Sequence, residues 1–351
     1  MLRIHLRGLI LAGGFATRLR PLSCSKPKLL FPIVGTPLVE SMARWLSSGG
    51  VDQIILAVNH LSDKLKIEVG RHVAGVTVKF SVEETPLGTA GPIRLAANLL
   101  GKDDPFFVTN GDIVSDIEIR GMLEMHEETN AEATMAVVSV PDPSPYGSVL
   151  TDSNGKVKKF EEKSAVLSVA SHVNAGVYVL SQSVIDSIPG GRSVSLENEV
   201  FPKLVRSGRM QSWMHKGFWY DIGRVSEYVR ANYELLQKQG LKATRPDTSE
   251  DGREILRPSY LGTRTHIGVG AKVGPLAILS DNVSVGDEAI VRNSIIFEET
   301  SIGEKATVEG SVIGERVVIG KGSRIGHGSM IAGQLSIPEG SMVSPNSVIL
   351  C

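Results

Sequence analysis

A six-residue apolar repeat near the C-terminus constrains the fold more than any other feature of this 351-residue chain. Large apolar residues recur at intervals of six, with two shortened steps: Ile267, Val273, Leu279, Val285, Val291, Phe297, Ile302, Val308, Ile313, Ile319, Ile325, Ile331, Ile337 and Val343. A single repeat cannot bury its own apolar face, so stacked repeats must share one core. The period predicts a left-handed β-helix of hexapeptide repeats over residues 259–351, with between four and five turns.

The residues before the repeat show a different pattern. Runs rich in Val, Ile and Phe predict strands at 8–12, 53–58, 76–82, 105–109, 133–140 and 173–180, and helical stretches are predicted at 37–48, 89–100, 118–128 and 226–239. This alternation predicts a Rossmann-like α/β domain with a mostly parallel sheet over residues 1–240. The polar, irregular residues 241–258 are predicted to be a linker. Active sites in such sheets lie at the carboxyl ends of the strands.

Composition excludes several classes of protein. The formal net charge is −1, and no cluster of Lys and Arg favours a nucleic-acid surface. No apolar run approaches the length of a membrane span. The two cysteines, Cys24 and Cys351, do not form a disulfide framework. We therefore expect a cytoplasmic protein that binds neither nucleic acid nor membrane.

The first predicted strand runs directly into Gly13 and Gly14, and two cations, Arg18 and Lys28, follow. Exposed N–H groups in a glycine turn can bind phosphate oxygens. Arginine adds a planar fork for phosphate and lysine a compact positive charge. The segment matches neither the Walker A loop nor GxGxxG. It predicts a triphosphate site.

The segment 13–22, G-G-F-A-T-R-L-R-P-L, and the later K-P-K resemble the signature of the sugar-phosphate nucleotidylyltransferases. Further motifs of that family follow in the same order up to about residue 228, among them P-L-G-T-A-G-P, F-E-E-K, N-A-G-V-Y and G-F-W-Y-D-I-G. Within the family, these motifs and S-L-E-N-E-V-F-P are most similar to mannose-1-phosphate guanylyltransferases. The resemblance implies transfer of a nucleotidyl group from a nucleoside triphosphate to a sugar-1-phosphate, with release of pyrophosphate.

The resemblance also implies roles for individual residues. Arg18, Lys28 and Asp112 would be catalytic, and Asp112 and Asp221 would hold Mg²⁺, which uses few protein ligands and keeps waters. The residues implied for nucleotide binding are Leu11, Ala12, Gly13, Gly14, Thr17, Glu83, Gly88 and Thr89. Those implied for the sugar phosphate are Gly147, Glu162, Lys163 and Asn174.

Glu83 bears on the choice of base. Guanine presents adjacent N1–H and N2–H₂ donors, which a carboxylate can accept together, whereas the carbonyl oxygens of uracil or thymine would face the carboxylate with no proton between them. This predicts GTP as the preferred donor. The alternative is that Glu83 points to solvent at the end of a strand.

Three other functions stay open at this point. A glucose-1-phosphate thymidylyl- or uridylyltransferase would have the same scaffold, and a non-catalytic regulatory subunit would bind nucleotide sugar. Acyl transfer in the β-helix would need His327 as a base. We expect the β-helix to serve support and homo-oligomer assembly rather than chemistry, because its repeats leave apolar faces that another subunit could cover.

Overall fold

The chain divides into two compact units. The computed structural model describes residues 6–60, 62–101, 105–162, 172–240 and 251–350. The first unit consists of Met1–Gly14 and Val39–Tyr220, and the second of Phe15–Leu38 and Asp221–Cys351. This division differs from a simple boundary at residue 240, because an N-terminal segment packs with the residues after Tyr220. No helix among the described residues is long and apolar enough to cross a membrane.

The strands before the repeat region are, in chain order, β1 Leu6–Leu11, β2 Pro32–Ile33, β3 Thr36–Pro37, β4 Val51–Asn59, β5 His72–Val73, β6 Val76–Glu83, β7 Phe106–Asn110, β8 Ile113–Ser115, β9 Ala133–Val138, β10 Ser148–Thr151, β11 Val157–Glu161, β12 His172–Leu180, β13 Met210–Met214 and β14 Trp219–Asp221. The α-helices are α1 Leu38–Ser48, α2 Asp63–Val69, α3 Gly91–Leu95, α4 Ala97–Leu100, α5 Ile119–Glu128, α6 Gln182–Ser187, α7 Phe201–Arg206 and α8 Val225–Gly240. The predicted helix at 89–100 is divided in two because Ala96, with ψ 0°, leaves the helical conformation.

The first unit is built on one mixed sheet with the strand order β11-β10-β12-β7-β1-β4-β6-β5, and β9 joins β12 to β13. Its central strands β7, β1, β4 and β6 are parallel. β12 runs antiparallel to β7 and β9. Leu9 and Ile10 of β1 are fully buried, as expected for a strand covered on both faces. The α/β fold class is confirmed.

The repeat region forms short parallel strands: β15 Glu254–Ile255, β16 Ser259–Leu261, β17 His266–Ile267, β18 Lys272–Val273, β19 Ala277–Leu279, β20 Ser284–Val285, β21 Ile290–Arg292, β22 Ile295–Ile296, β23 Ser301–Ile302, β24 Thr307–Glu309, β25 Val312–Ile313, β26 Val318–Ile319, β27 Arg324–Ile325, β28 Met330–Ile331, β29 Ser336–Ile337, β30 Met342–Val343 and β31 Val348–Ile349. Every third strand pairs in the same sheet, which gives three sheets of six, six and five strands. This is a β-helix of between five and six turns. Its first coil begins at Glu254, inside the predicted linker, whose residues 241–250 lie outside the described residues.

One position of the predicted period is wrong. Ile296 pairs with Leu279 in the coil before it and with Ile313 in the coil after it, and its side chain lies in the core of the β-helix. The coil from Leu279 to Ile296 is therefore one residue shorter than expected. The next residue, Phe297, is also fully buried, but it packs outside this core.

Phe297 packs in an aromatic cluster with Phe31 and Tyr228. The ring centroids of Phe31 and Phe297 are 5.4 Å apart, and those of Phe31 and Tyr228 are 5.6 Å apart, both edge to face. The Tyr228 hydroxyl donates to the Pro32 carbonyl at 2.7 Å. All three rings are fully buried. The cluster joins the segment Phe15–Leu38, helix α8 and the β-helix within the second unit.

His126, on α5 in the first unit, makes the stability of this fold depend on pH. Its Nδ1 lies 2.9 Å from Thr134 Oγ1 and its Nε2 2.9 Å from Ser181 Oγ. Burial lowers the pKa of His126 from 6.5 to about 4. The unfolded chain therefore takes up this proton near pH 6.5, whereas the folded chain takes it up only near pH 4.

We expect the free energy of unfolding to lose about 3 kcal/mol from this group as pH falls from 6.5 to 4. A His126→Gln variant should show a flatter decline of Tm over this range. Exposed His60→Gln is the matched control and should keep the wild-type slope. Equal slopes for wild type and His126→Gln, measured by calorimetry, would contradict this account.

Candidate active site

The parallel strands of the first unit bring polar groups to one edge of the sheet. β1, β4, β6 and β7 run in the same direction, so their carboxyl ends lie at the same edge. These strands end at Leu11, Asn59, Glu83 and Asn110. The edge expected for a ligand site therefore carries a carboxylate and two amides, with the glycine turn directly after β1.

Contacts with two neighbouring strands fix the glycine turn. The Ala12 N–H donates to the Ala57 carbonyl at 2.8 Å, and Asn59 Nδ2 donates to the Gly13 carbonyl at 2.9 Å. A Cβ on Gly13 would overlap the carboxylate of Glu83, whereas a Cβ on Gly14 would meet nothing within 4 Å. Gly13 is therefore required by the close approach of Glu83, and Gly14 lies exposed beside it.

Glu83 is the last residue of β6 and only 8% exposed. Its Oε2 accepts a hydrogen bond from the Leu87 N–H at 3.1 Å. The alternative that Glu83 points to solvent is therefore wrong. Its carboxylate lies against the glycine turn instead, and an ionised carboxylate has acceptor positions beyond the one that Leu87 occupies.

Gly88 and Thr89, both predicted to bind nucleotide, contact the segment 193–197. Gly88 has φ +77°, and a Cβ there would lie 2.5 Å from the Val194 carbonyl oxygen. Thr89 Oγ1 donates to Glu197 Oε2 at 2.6 Å and accepts from the Leu196 N–H at 2.8 Å. The positive φ and tight packing of Gly88 and the hydrogen bonds of Thr89 therefore account for these residue types without any contact to a base. Sequence reasoning missed Glu197, whose only signal was its place in S-L-E-N-E-V-F-P.

Asp112 lies in the two-residue connection between β7, which ends at Asn110, and β8, which begins at Ile113. The N–H of Gly111, the other residue of this connection, donates to the Leu11 carbonyl at 2.9 Å, which ties the connection to the end of β1. The Asp112 side chain is half-buried. The structure therefore places this aspartate at the tip of a central strand, as the sequence predicts.

Three of the residues predicted to bind the sugar phosphate come together in the first unit. Glu162 Oε2 lies 2.8 Å from the position of a Cβ on Gly147, and the Asn174 N–H donates to the Gly147 carbonyl at 2.9 Å. Asn174 also accepts from the Gly176 N–H through Oδ1 and donates to the Tyr178 hydroxyl through Nδ2. Asn174 thus fixes the local backbone through both ends of its side-chain amide. Lys163 lies outside the described residues.

Trp219 is a residue of this region that sequence reasoning did not select. Its indole N–H donates to the Ala175 carbonyl at 2.8 Å, and its ring packs edge to face with Tyr146 at 5.2 Å. Ala175 follows Asn174, and Tyr146 precedes Gly147. Trp219 therefore supports the two backbone stretches that carry the predicted sugar site, and the only signal for it was its place in G-F-W-Y-D-I-G.

The other predicted residues belong to the second unit. Thr17 and Arg18 lie in a 3₁₀ turn, Thr17–Leu19, and both are exposed. Half-buried Lys28 begins a later 3₁₀ turn, Lys28–Leu30. Asp221 precedes α8, and its Oδ1 accepts from the Gly223 N–H at 2.9 Å.

The donor chemistry fits a magnesium ion with few protein ligands. Among the described residues there is no group of three or more His, Cys, Asp or Glu that could hold a metal by itself. Asp112 and Asp221 both offer the hard carboxylate oxygens that Mg²⁺ prefers, and both side chains are half-buried rather than sealed in a core. A carboxylate of this kind suits an ion that completes its coordination with phosphate oxygens and waters.

Comparison with known proteins shows the family of the chain. The nucleotidyl transferase family matches residues 7–238. The chain belongs to the nucleotidyl transferase family. A second family, described as the GMPPB C-terminal domain, matches residues 255–350.

Relatives of this nucleotidyl transferase include mannose-1-phosphate guanylyltransferases. Mannose-1-phosphate guanylyltransferase 1 of Arabidopsis thaliana is 36% identical over 275 residues, which are 77% of this chain and 75% of that protein. Mannose-1-phosphate guanyltransferase of Aspergillus oryzae is 35% identical over 277 residues, 77% of this chain and 73% of that protein. The crystal structure of HddC from Yersinia pseudotuberculosis is similar with 28% identity and a TM-score of 0.57, over 66% of this chain and 99% of that chain. HddC has also been solved in complex with GMP-PN.

The two glycines of the turn give a matched test of the site of this nucleotidyl transferase. In Gly13→Ala the new methyl overlaps the Glu83 carboxylate, so the turn or Glu83 must move, at a cost of about 1–3 kcal/mol in the free energy of unfolding. Gly14→Ala places the same methyl in open space and should leave stability within about 0.5 kcal/mol of wild type. Urea unfolding of the two variants measures the difference. Equal destabilisation would show that Glu83 does not press on the turn.

Proposed function

We propose that this nucleotidyl transferase makes GDP-mannose from GTP and mannose-1-phosphate. The observation that carries the proposal is the buried carboxylate of Glu83 beside the glycine turn, at the sheet edge where Asp112 also lies. The named relatives support the same donor and acceptor. The GMP-PN complex of HddC supports a guanine nucleotide in a related fold.

The reaction requires neutralisation of negative charge rather than a general base. A phosphate oxygen of the sugar-1-phosphate attacks the α-phosphorus, the bond from that phosphorus to the oxygen bridging it to the β-phosphorus breaks, and pyrophosphate leaves. The attacking oxygen is already ionised at pH 7, so positioning and neutralisation of charge supply the catalysis. In the proposal Arg18 and Lys28 hold the triphosphate and stabilise the departing pyrophosphate. Lys163 holds the sugar phosphate, and Gly147, Glu162 and Asn174 line the sugar site.

Asp112 and Asp221 are the residues proposed to hold Mg²⁺. When bound, the ion would neutralise phosphate charge as a Lewis acid. The remaining site residues of the proposal are Leu11 at the end of β1, Ala12 and Gly14 in the turn after it, and Thr17 in the following 3₁₀ turn. The N–H groups of exposed Gly14 and Thr17 would bind phosphate oxygens, whereas the Ala12 N–H already donates to the Ala57 carbonyl.

A panel of four nucleoside triphosphates against several sugar-1-phosphates, assayed for pyrophosphate with Mg²⁺, tests the proposed function directly. GTP with mannose-1-phosphate should give the highest kcat/KM. Better use of dTTP or UTP with glucose-1-phosphate would instead support a thymidylyl- or uridylyltransferase. Nucleotide-sugar binding without pyrophosphate release would support a regulatory subunit.

We expect Asp112→Asn to lower kcat by roughly two orders of magnitude or more, because it removes one charge from the proposed metal ligands. Excess chelator should abolish turnover of the wild type, and added Mg²⁺ should restore it. Asp63→Asn is the matched control, since the Asp63 side chain is 82% exposed in helix α2, and it should leave kcat unchanged. Full activity in excess chelator would remove the metal from the mechanism.

The selectivity for the base is proposed to depend on Glu83. Each hydrogen bond between its carboxylate and a guanine N–H would contribute about 1.5–3 kcal/mol where water is excluded. Glutamine keeps the size of the side chain but replaces one acceptor oxygen by a donor, which suits the mixed edge of a pyrimidine.

Glu83→Gln should therefore lower the ratio of kcat/KM for GTP to that for UTP by roughly tenfold or more. Glu84→Gln, one residue further and exposed, is the control and should keep the wild-type ratio. An unchanged ratio in a Glu83→Gln protein of normal Tm would show that this carboxylate does not read the base.

Two further parts of the proposal concern assembly and location. A homo-oligomer formed through the β-helix is supported by the exposed apolar side chains of its last coil, Met342, Val348 and Leu350. A cytoplasmic location is supported by the presence of only two cysteines. The division into domains 1–240 and 259–351 is supported by the family matches, which end at residue 238 and begin again at 255. Exposed His327, whose ring packs over Gly310 of the preceding coil, stays the residue that acyl transfer in the β-helix would need.

A further inference from the structure

The segment Phe15–Leu38 carries Thr17, Arg18 and Lys28, and it belongs to the compact unit that contains the β-helix. The aromatic cluster of Phe31, Tyr228 and Phe297 holds its C-terminal half. The Val34 N–H, at the tip of the β2–β3 hairpin, donates to Asn232 Oδ1 of helix α8 at 2.7 Å. This half of the segment is therefore fixed by apolar packing and buried hydrogen bonds.

The half of the segment nearer Arg18 is held by an ion pair with the β-helix. Lys26 is only 5% exposed, and its ammonium group forms an ion pair with Glu298, which follows strand β22 in the β-helix. A buried ammonium is costly unless a counter-charge lies against it. Lys26 stands two residues before Lys28, so this ion pair fixes the backbone next to a proposed phosphate ligand.

A second carboxylate of the β-helix contacts the preceding residue. Glu315 is fully buried, and its Oε2 accepts from the Ser25 hydroxyl at 3.3 Å. The Glu298 carbonyl accepts from the Arg316 N–H at 3.0 Å, which links Glu298 to the next coil. Ile296 pairs with Ile313, so Glu298 and Glu315 occupy the same position in successive coils.

The coil that follows that of Glu315 has a glycine at this position. Ile331 pairs with Ile313, so Gly333 is the counterpart of Glu315. A Cβ on Gly333 would lie 2.5 Å from Glu315 Oε2 and 2.6 Å from Ser25 Oγ. The change from glutamate to glycine along this column, Glu298, Glu315 and Gly333, makes room for the Ser25–Glu315 contact. Because the residues come from three coils, no single repeat could supply the contact surface.

We propose that Glu298 and Glu315 are positioning residues of the reaction, because they hold Ser25 and Lys26 and so fix the segment that presents Arg18 and Lys28. This inference rests on the proposed role of those two cations in binding the triphosphate. It assigns the β-helix a part in the catalytic step in addition to support and assembly. No residue of the β-helix needs to touch substrate for this.

Glu298→Gln in the full-length protein tests the inference, because glutamine keeps the size of the side chain and removes its charge. We expect the KM for GTP to rise about tenfold, with the KM for mannose-1-phosphate changed less than about twofold. Hydrogen exchange of amides within residues 15–38 should become faster. Glu304→Gln is the matched control, a β-helix glutamate paired with exposed Lys321, and both readouts should stay at wild-type values.

A double variant separates positioning from general destabilisation. Lys26→Met combined with Glu298→Met removes both charges together, which is often neutral for stability, whereas Glu298→Gln leaves Lys26 without its counter-charge. If the ion pair positions the segment, the KM for GTP of the double variant should stay above that of wild type even at a wild-type Tm, and a wild-type KM would show that the effect of Glu298→Gln is destabilisation alone. If Glu298→Gln does not fold, Ser25→Ala tests the other contact and should raise the KM for GTP about twofold to threefold.

Unchanged exchange within residues 15–38 in Glu298→Gln and in Ser25→Ala would overturn the inference. Faster exchange with unchanged triphosphate kinetics would also overturn it, because the segment would then be anchored without affecting the reaction. Failure of the proposed function gives a different result, since the wild type would release pyrophosphate from no combination of substrates. The exchange comparison would still decide whether the anchor exists.

Discussion

The edge-to-face packing of Phe31, Tyr228 and Phe297 is the interaction on which the second unit depends. The three rings come from distant parts of the sequence, and each is fully buried. Aromatic side chains bury more area than aliphatic ones and gain further from edge-to-face geometry. The cluster also explains the shortened coil, because Phe297 can reach Phe31 only when Ile296 takes the place in the β-helix core. Local packing thus decides where the repeat loses a residue.

The architecture was largely predictable from the sequence, since it follows from two periodicities. Runs rich in Val, Ile and Phe predicted the strands of the sheet, and the six-residue repeat predicted the β-helix. The position of the short step was not predictable, because Ile296 and Phe297 are adjacent and both apolar. Periodicity cannot decide which of two such neighbours faces the core. The packing of the segment Phe15–Leu38 on the β-helix was equally hidden, since it joins residues more than two hundred positions apart in the sequence.

The parts of the candidate site whose position depends only on the sheet topology were predictable from the sequence. Asp112 and the glycine turn lie at the sheet edge because parallel strands end there together. The burial of Glu83 could not be deduced, since it depends on how closely β6 approaches the turn after β1. For Gly88 and Asn174 two explanations compete. Family resemblance implies that they contact ligands, whereas their contacts with the neighbouring backbone would by themselves explain why these residue types occur there. Only substitution can separate the two roles.

Buried charge links the β-helix to the segment that carries Arg18 and Lys28. A buried charged group is costly unless a partner lies against it, and both Glu315 and Lys26 are buried, whereas Glu298 is half-buried. Glu298 and Glu315 find their partners, Lys26 and Ser25, on a segment that also presents two cations proposed to hold phosphate. Like charges along one segment repel each other, and the counter-charge of Glu298 offsets the contribution of Lys26. A carboxylate in the repeat can thus affect phosphate binding through the backbone between Lys26 and Lys28, without reaching the substrate.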